Sequence, residues 1–326
     1  MAIIESYCFD VFFIRIVSLY IIFKNREISI KIEELSIKIF EFCGVNFNLR
    51  KLMTINCKGN LIDLSQPKVM GILNLTPDSF YDGGKYKNTD EVVHQVEKML
   101  NDGATFIDVG AYSSKPNAAF ISEEEEISRL LPIVDLLIDK FPDILLSVDT
   151  FRSQIAKKTV EAGVAMVNDI SAGKLDEKMI ETVAKLQVPY IMMHMKGNPQ
   201  TMQSQANYED VVKEMIYYFS ERISIARSFG LNDIIIDPGF GFAKTLEQNY
   251  EVLQKLELFS MLELPLLAGI SRKSMIYKTL ENSPEEALNG TTVLNTISLQ
   301  KGAKILRVHD VKEAMECVTL FNKMNK

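Results

Sequence analysis

"ILLSVDTFRSQIAKKTVEAGVAMVND", residues 144–169, carries the repeating unit from which the fold can be read. Its two ends, "ILLSVD" (144–149) and "AMVND" (165–169), are short apolar runs that finish in carboxylates. The stretch between them is amphipathic and stops at Gly163, where a helix should end. Near-continuous hydrophobicity in runs this short predicts strands buried on both faces, as in a parallel sheet covered by helices.

The same alternation extends in both directions from Lys68 onward. Upstream stand "KVMGIL" (68–73) and "TFIDV" (105–109); downstream follow "PYIMMH" (189–194), "IIID" (234–237), "PLLAG" (265–269) and "KILRV" (304–308). The segments between them show helical spacing. Ile127, Leu130, Leu131, Val134 and Ile138 form one predicted apolar stripe; Val212, Met215, Ile216, Phe219, Ile223 and Ala226 form another. Ser122 with Glu125 and Ser283 with Glu286 read as capping boxes, the second with Pro284 at the first helical position. Gly103 and Gly230 join Gly163 as helix ends. Eight strand–helix units in about 255 residues match the count and length of a (β/α)8 barrel, a TIM barrel of the α/β class. Residues 54–66 are expected to form a short N-terminal hairpin across its lower end.

The first 52 residues differ. "VFFIRIVSLYIIF" (11–23) is interrupted by Arg15 and is shorter than the roughly 20 residues a membrane span requires. Glu5 and Asp10 precede it, and no small-residue cleavage site follows, which argues against a signal peptide. The expected organisation is an additional N-terminal extension over 1–52, with Met53 as the working start, and a barrel domain over 53–326. Intact mass of the natively expressed protein tests that start.

The 326 residues carry a formal net charge of -7, which argues against a nucleic-acid binder. A local cluster of Lys and Arg can still receive a small anion. Four cysteines without metal or CxxC spacing read as reduced thiols of a cytosolic (cytoplasmic) protein, and no membrane association is expected.

Barrels of this kind carry their chemistry at the C-terminal ends of the strands. Those ends supply Asn74, Asp108, Asp149, Asn168 with Asp169, His194, Asp237, Ser271 with Lys273, and Arg307 with His309. A single polar residue at a strand exit needs no function. All eight exits ending in polar groups, most of them Asp, Asn, Lys or Arg, favour a convergent site. Asp149, Asn168 and Asp237 offer acceptors to a planar heterocycle with amino and ring N–H groups. Lys273 and Arg307 counter the acids, and Arg307 can lay its flat guanidinium on a ring. Arg307, His309 and Lys115 suit phosphate oxygens. Asn74 alone is a weak metal ligand, yet Mg²⁺ commonly binds through one or two protein groups, waters and substrate phosphates. "GFGFAKT" resembles a phosphate loop only faintly, since Pro238 and Ala243 stand where that loop needs glycine. Three histidines without H-E-x-x-H make catalytic zinc unlikely to be the basis of the chemistry. His94 reads as a surface or packing residue, and Met192, Met193 and Met195 read as core.

Eight segments then occur in order: "GILNLTPDSFYDGG" (71–84), "FIDVGAYSSKP" (106–116), "SVDT" (147–150), "NDISAG" (168–173), "MHMKGNPQTMQ" (193–203), "DPGFGFAKT" (237–245), "GISRKS" (269–274) and "RVHDV" (307–311). Together, over 54–322, they resemble the dihydropteroate synthase family of pterin-binding enzymes. The resemblance implies a transferase of folate and tetrahydrofolate biosynthesis that joins 6-hydroxymethyl-7,8-dihydropterin diphosphate to 4-aminobenzoate. It implies that Asp149, Asn168, Asp237 and Lys273 hold the pterin while Arg307 stacks on it. Asn74 would meet the Mg²⁺–diphosphate, with Ser114, Arg307 and His309 on phosphate oxygens. Ser271, Lys273, Phe80, Pro116 and Phe242 would frame the aminobenzoate. Lys273, Arg307 and His309 are the implied catalytic residues. A homodimer and a sulfonamide target are implied as well. Residues 76–87 and 111–119 are expected to be lids. In the second, Ala111–Asn117 departs from the common Gly-Glu-Ser-Thr-Arg-Pro-Gly, so that Lys115 stands for arginine. A corrinoid-linked pterin methyltransferase on the same barrel is one rival, but "SRKS", "MHM" and "TPDSF" favour the synthase; a catalytically silent paralogue that only binds pterin and a membrane-attached form using residues 11–23 are the others.

Overall fold

The computed structural model describes residues 53–75, 81–82, 85–86, 89–112 and 121–325. The expected extension over 1–52 lies outside the described residues. The first strands, β1 (Thr54–Cys57) and β2 (Asn60–Asp63), pair antiparallel with Cys57 opposite Asn60. Lys58 and Gly59 between them both have positive φ, which matches the right-handed twist of a tight hairpin.

Eight parallel strands follow: β3 (Lys68–Asn74), β6 (Phe106–Gly110), β7 (Leu146–Asp149), β8 (Met166–Asp169), β9 (Tyr190–Met193), β10 (Ile234–Asp237), β11 (Leu267–Ala268) and β12 (Ile305–Val308). A small antiparallel pair, β4 (Tyr81–Asp82) and β5 (Lys85–Tyr86), follows β3. Each barrel strand pairs with its neighbour in sequence, and β12 pairs with both β3 and β11. A parallel bridge between Ile236 and Leu266, with Ile236 N–H donating to Pro265 O at 3.0 Å, closes the ring. The barrel is therefore the expected one, and its eight strands fall on the eight apolar runs.

Side chains alternate across each strand with a period of two. One set points inward and packs as a floor: Met70, Phe106, Met166, Ile191, Ile235, Leu267 and Ile305, closed from below by Ile55, Cys57 and Leu64 of the hairpin region. Burial and nearby Asp233 push the Cys57 thiol up to about 12, so it is an inert filler. The other set, including Val109, Val148, Val167, Tyr190, Ile236 and Val308, packs against the helices.

The helices are α1 (Thr89–Asn101), α2 (Glu123–Lys140), α3 (Ser153–Glu161), α4 (Met179–Leu186), α5 (Val211–Ser228), α6 (Leu246–Gln254), α7 (Ser274–Tyr277), α8 (Leu288–Gln300) and α9 (Val311–Met324). Gly103, Gly163 and Gly230 take positive φ at helix ends, as expected. Of the expected α2 stripe, Leu130 and Val134 are buried and Ile127 and Ile138 pack partly buried against the same core; Ile133 and Leu137 join the buried face, as do Glu126 and Arg129, held by polar partners. One local reading needs correction. Ser283 N–H does donate to Glu286 at 3.1 Å, yet α8 starts only at Leu288. Arg272 Nη1 donates to the carbonyls of Pro284 and Glu285 at 2.9 and 2.6 Å, and the segment closes only i→i+3 turns, Glu286 N–H to Ser283 O and Ala287 N–H to Pro284 O. A full capping box stands at Thr245–Gln248, opening α6.

Candidate functional site

The period-two alternation decides which strand-end groups meet. Two residues above the inward floor residues Phe106, Met166, Ile235 and Ile305 stand Asp108, Asn168, Asp237 and Arg307. By the same parity Asp149 lies level with Asn168 across the β7–β8 pair. A polar layer thus sits directly on the apolar floor. Arg307 ties it together: its Nε donates to Asp108 Oδ2 at 2.6 Å and its Nη2 to Asp149 Oδ2 at 2.8 Å. Asn168 Nδ2 donates to the same Asp108 oxygen at 2.9 Å, which leaves the amide oxygen of Asn168 as an acceptor. Opposite, Gly269 leaves space between Asp237 and Arg307; a Cβ there would lie 3.8 and 3.9 Å from the two side chains.

The loop after β10 supplies the other wall. Gly239 N–H donates to Asp237 Oδ1 at 2.8 Å. Gly239 has φ +67°, and a Cβ on it would come within 2.3 Å of His194 O, so only glycine fits. Lys273 Nζ donates to Phe240 O at 2.5 Å and lies 5.0 Å from the centre of the Phe242 ring. Ser271 Oγ and His309 Nδ1 are 3.0 Å apart at the rim. Asn74 ends β3 in an exposed position, in register with Gly110.

The electrostatics are those of an acid-rich pocket out of water. Burial pushes Asp149 up to about 7 against the pull of Arg307, with Asp108 adding to the rise. Burial likewise raises Asp237, opposed by Lys273. The Lys273 ammonium is lowered to about 8 by burial while Asp237 acts the other way. Arg307 is also desolvated, yet Asp108 and Asp149 hold it firmly charged. Partial burial of its ring, with the Arg307 charge, lowers His309 from its ordinary value at this exposed rim position. Asp108 Oδ1 is buried without a hydrogen-bond partner. Acceptors outnumber donors here, which suits a ligand rich in N–H groups.

Of the residues expected at the site, Asn74, Asp149, Asn168, Asp237, Phe242, Ser271, Lys273, Arg307 and His309 stand on the strand ends or loops at this mouth. Phe80, Ser114, Lys115 and Pro116 lie outside the described residues, as does most of both expected lids. Two strand-end groups do not join them. Asp169 and His194 have the opposite parity and face the helices: His194 packs edge-on against Tyr218 at 4.8 Å. His94 is a surface residue, and Met192, Met193 and Met195 are buried, as read. Asp108 was seen at a strand end but given no role; its parity with the floor residue Phe106 was the available signal.

A family model described as pterin binding enzyme matches residues 70–309. The dihydropteroate synthase of Escherichia coli (strain K12) is 42% identical over 282 residues, covering 84% of this chain and 99% of the relative. That of Bacillus subtilis (strain 168) is 41% identical over 258 residues, with 78% and 88% covered. Among solved structures, Yersinia pestis dihydropteroate synthase in a sulfonamide drug complex superposes with a TM-score of 0.78 at 40% identity, covering 84% of this chain and 99% of that one. The Xanthomonas albilineans enzyme with 4-aminobenzoic acid gives 0.78 at 35% identity, with the same coverage.

Proposed function

The chain belongs to the pterin-binding enzyme family, and from that premise we propose that the polar layer at the barrel mouth is where it performs the dihydropteroate synthase reaction. That reaction transfers the methylene of 6-hydroxymethyl-7,8-dihydropterin diphosphate to the amine of 4-aminobenzoate, yielding 7,8-dihydropteroate and diphosphate. The observation that carries the assignment is the convergence of Asp149, Asn168 and Asp237 on one layer of the barrel mouth, with Arg307 bound to Asp149 and Asp108 and the amide oxygen of Asn168 left as an acceptor.

In this reading Asp149, Asn168 and Asp237 accept from the amino and ring N–H groups of the pterin. Lys273 donates to a ring acceptor. Arg307 has its Nε and Nη2 edge committed to Asp108 and Asp149, which leaves its flat faces for stacking and Nη1 for a phosphate oxygen. The arylamine of 4-aminobenzoate is uncharged at neutral pH and can attack as the free amine. The C–O bond to diphosphate breaks, the C–N bond forms, and the amine proton leaves to solvent or the departing diphosphate. Lys273, Arg307 and His309 act on the leaving group, and Phe242 and Ser271 position the aminobenzoate.

Among the described residues there is no group of three or more His, Cys, Asp or Glu able to cage a metal. A single Asn74 carboxamide next to diphosphate fits Mg²⁺, which keeps waters and takes most of its ligands from phosphate. Bound there, the ion would neutralise charge on the departing diphosphate.

We also propose a homodimer through the outer helices, supported by exposed Leu280, Val293 and Leu320 on and around α8 and α9; light scattering after size exclusion tests it. No helix among the described residues is long and apolar enough to cross a membrane. Free, buried Cys57 and Cys317 support the cytoplasmic assignment. Sulfonamide inhibition relieved by 4-aminobenzoate would support the same Phe242–Ser271 pocket. A diphosphate-release assay with both substrates tests the activity: turnover is expected, and none with purified, folded protein would refute it.

A further inference from the structure

Lys244 is buried, which brings its amine down to about 7 against the pull of Asp237, and it lies behind the pocket wall rather than in it. Its Nζ donates to Gly239 O at 3.0 Å and Phe242 O at 3.0 Å, and lies 3.1 Å from His194 Nδ1. In the protonated form its three N–H bonds match these three acceptors. Both carbonyls belong to the loop that leaves Asp237 and carries Phe242. Ala243, just before the lysine, takes the left-handed conformation with φ +46°. That conformation is unfavourable for a residue with a Cβ, and strain of this kind persists only where surrounding contacts enforce it.

Other polar groups of the loop are also held. Gly241 N–H donates to Asn249 Oδ1 at 2.7 Å, and Tyr208 O–H donates to Ala243 O at 2.8 Å. Lys273 takes Phe240 O from the pocket side at 2.5 Å. The loop is therefore gripped between two lysines, one facing the site and one behind it. His194 completes the rear grip: its backbone N–H donates to Asp237 O at 3.0 Å, and its carbonyl is what excludes any Cβ at Gly239. Its ring is wedged among Tyr218, Phe219 and Tyr208. Burial, with the charge of Lys244 adding to it, holds this imidazole uncharged and so able to accept at Nδ1.

We infer that Lys244, seated on His194, is a positioning residue of the reaction: by fixing the Gly239–Phe242 backbone it aims the Asp237 carboxylate and the Phe242 ring at the two substrates. The inference rests on the pocket assignment made above, and deepens it by naming what aims two of its groups.

Steady-state kinetics with each substrate varied in turn will test this on Lys244→Met, His194→Leu and His194→Asn. The asparagine amide oxygen can replace the Nδ1 acceptor, whereas leucine cannot. Lys244→Met is expected to raise the KM for both substrates by on the order of tenfold, with a smaller fall in kcat. His194→Leu should move in the same direction and His194→Asn should recover most of the wild-type KM. KM values within twofold of wild type in a folded Lys244→Met would overturn the inference. If that variant does not fold, equal behaviour of the two His194 variants overturns it instead. Asp237→Asn, run alongside, separates the two readings. Full activity there removes the pocket assignment; lost activity there with unchanged KM in Lys244→Met removes only the positioning role.

Discussion

Asn168 and Asp169 are neighbours at the end of one strand, both buried, yet they belong to opposite faces of the barrel wall. On the outer face, Asp169 accepts from Ser171 N–H and Oγ at 2.8 Å each, Gly173 N–H at 2.6 Å and Tyr190 O–H at 2.5 Å. Glu126, also outside, has one oxygen on Thr150 Oγ1 at 2.7 Å and the other on Arg152. On the inner face, Asn168 makes one side-chain bond through its nitrogen and Asp108 keeps an oxygen without a partner, while burial raises acids on both faces. Burial alone does not distinguish the two sets. What separates them is whether the protein itself completes their hydrogen bonds: where it does, the acid holds the fold together, and where it does not, the gap is shaped for a ligand.

The largest effect that could break this contrast is on catalysis. Lys273→Ala should lower kcat/KM by a factor on the order of 100 or more in the diphosphate-release assay. Its melting temperature should fall less than that of Asp169→Leu, since Lys273 gives up a single hydrogen bond, to Phe240 O. Asp169→Leu should do the reverse. It strands Tyr190, Ser171 and two backbone N–H groups, which predicts a loss of about 3 kcal/mol or more in urea unfolding. A stable Asp169→Leu protein would erase the distinction between the faces.

A smaller effect lies in pH. Asp149 has its folded value raised from 3.8 to about 7, so its contribution to stability is fully present below 3.8 and is lost as pH rises through 7. Asp149→Asn removes that slope. Relative to wild type, the variant should gain melting temperature between pH 4.5 and 7.5, and a constant difference would contradict the raised value. Smallest is the lid substitution read from the sequence: Lys115→Arg should retain turnover, and Lys115→Ala should raise the KM values several-fold. Unchanged kinetics in the alanine variant would remove Lys115 from the site.

The barrel was legible because short apolar runs such as "IIID" admit few alternatives, and their polar ends marked the mouth in order. Asn168 rather than Asp169 was named as an acceptor of the site, and counting by twos from the floor residue Met166 supplies the physical reason. Asp108 and Lys244 were passed over for different reasons. Asp108 acts by holding Asn168 and Arg307, partners 60 and 199 positions away. Lys244 sat in a segment compared with a phosphate loop, and its three contacts exist only once β9 and the loop after β10 are packed together. The burial of Glu126 and Arg129 on α2 was hidden for a related reason: they look like surface residues until their partners are in place.

Isothermal titration of 6-hydroxymethyl-7,8-dihydropterin diphosphate into wild type and Asp237→Asn puts the unfilled inner acceptors to the test most directly. If the carboxylate waits for the N–H groups of the pterin, the substitution weakens Kd by on the order of 100-fold, equivalent to about 3 kcal/mol for hydrogen bonds to a charged group. A Kd within twofold of wild type would contradict the account.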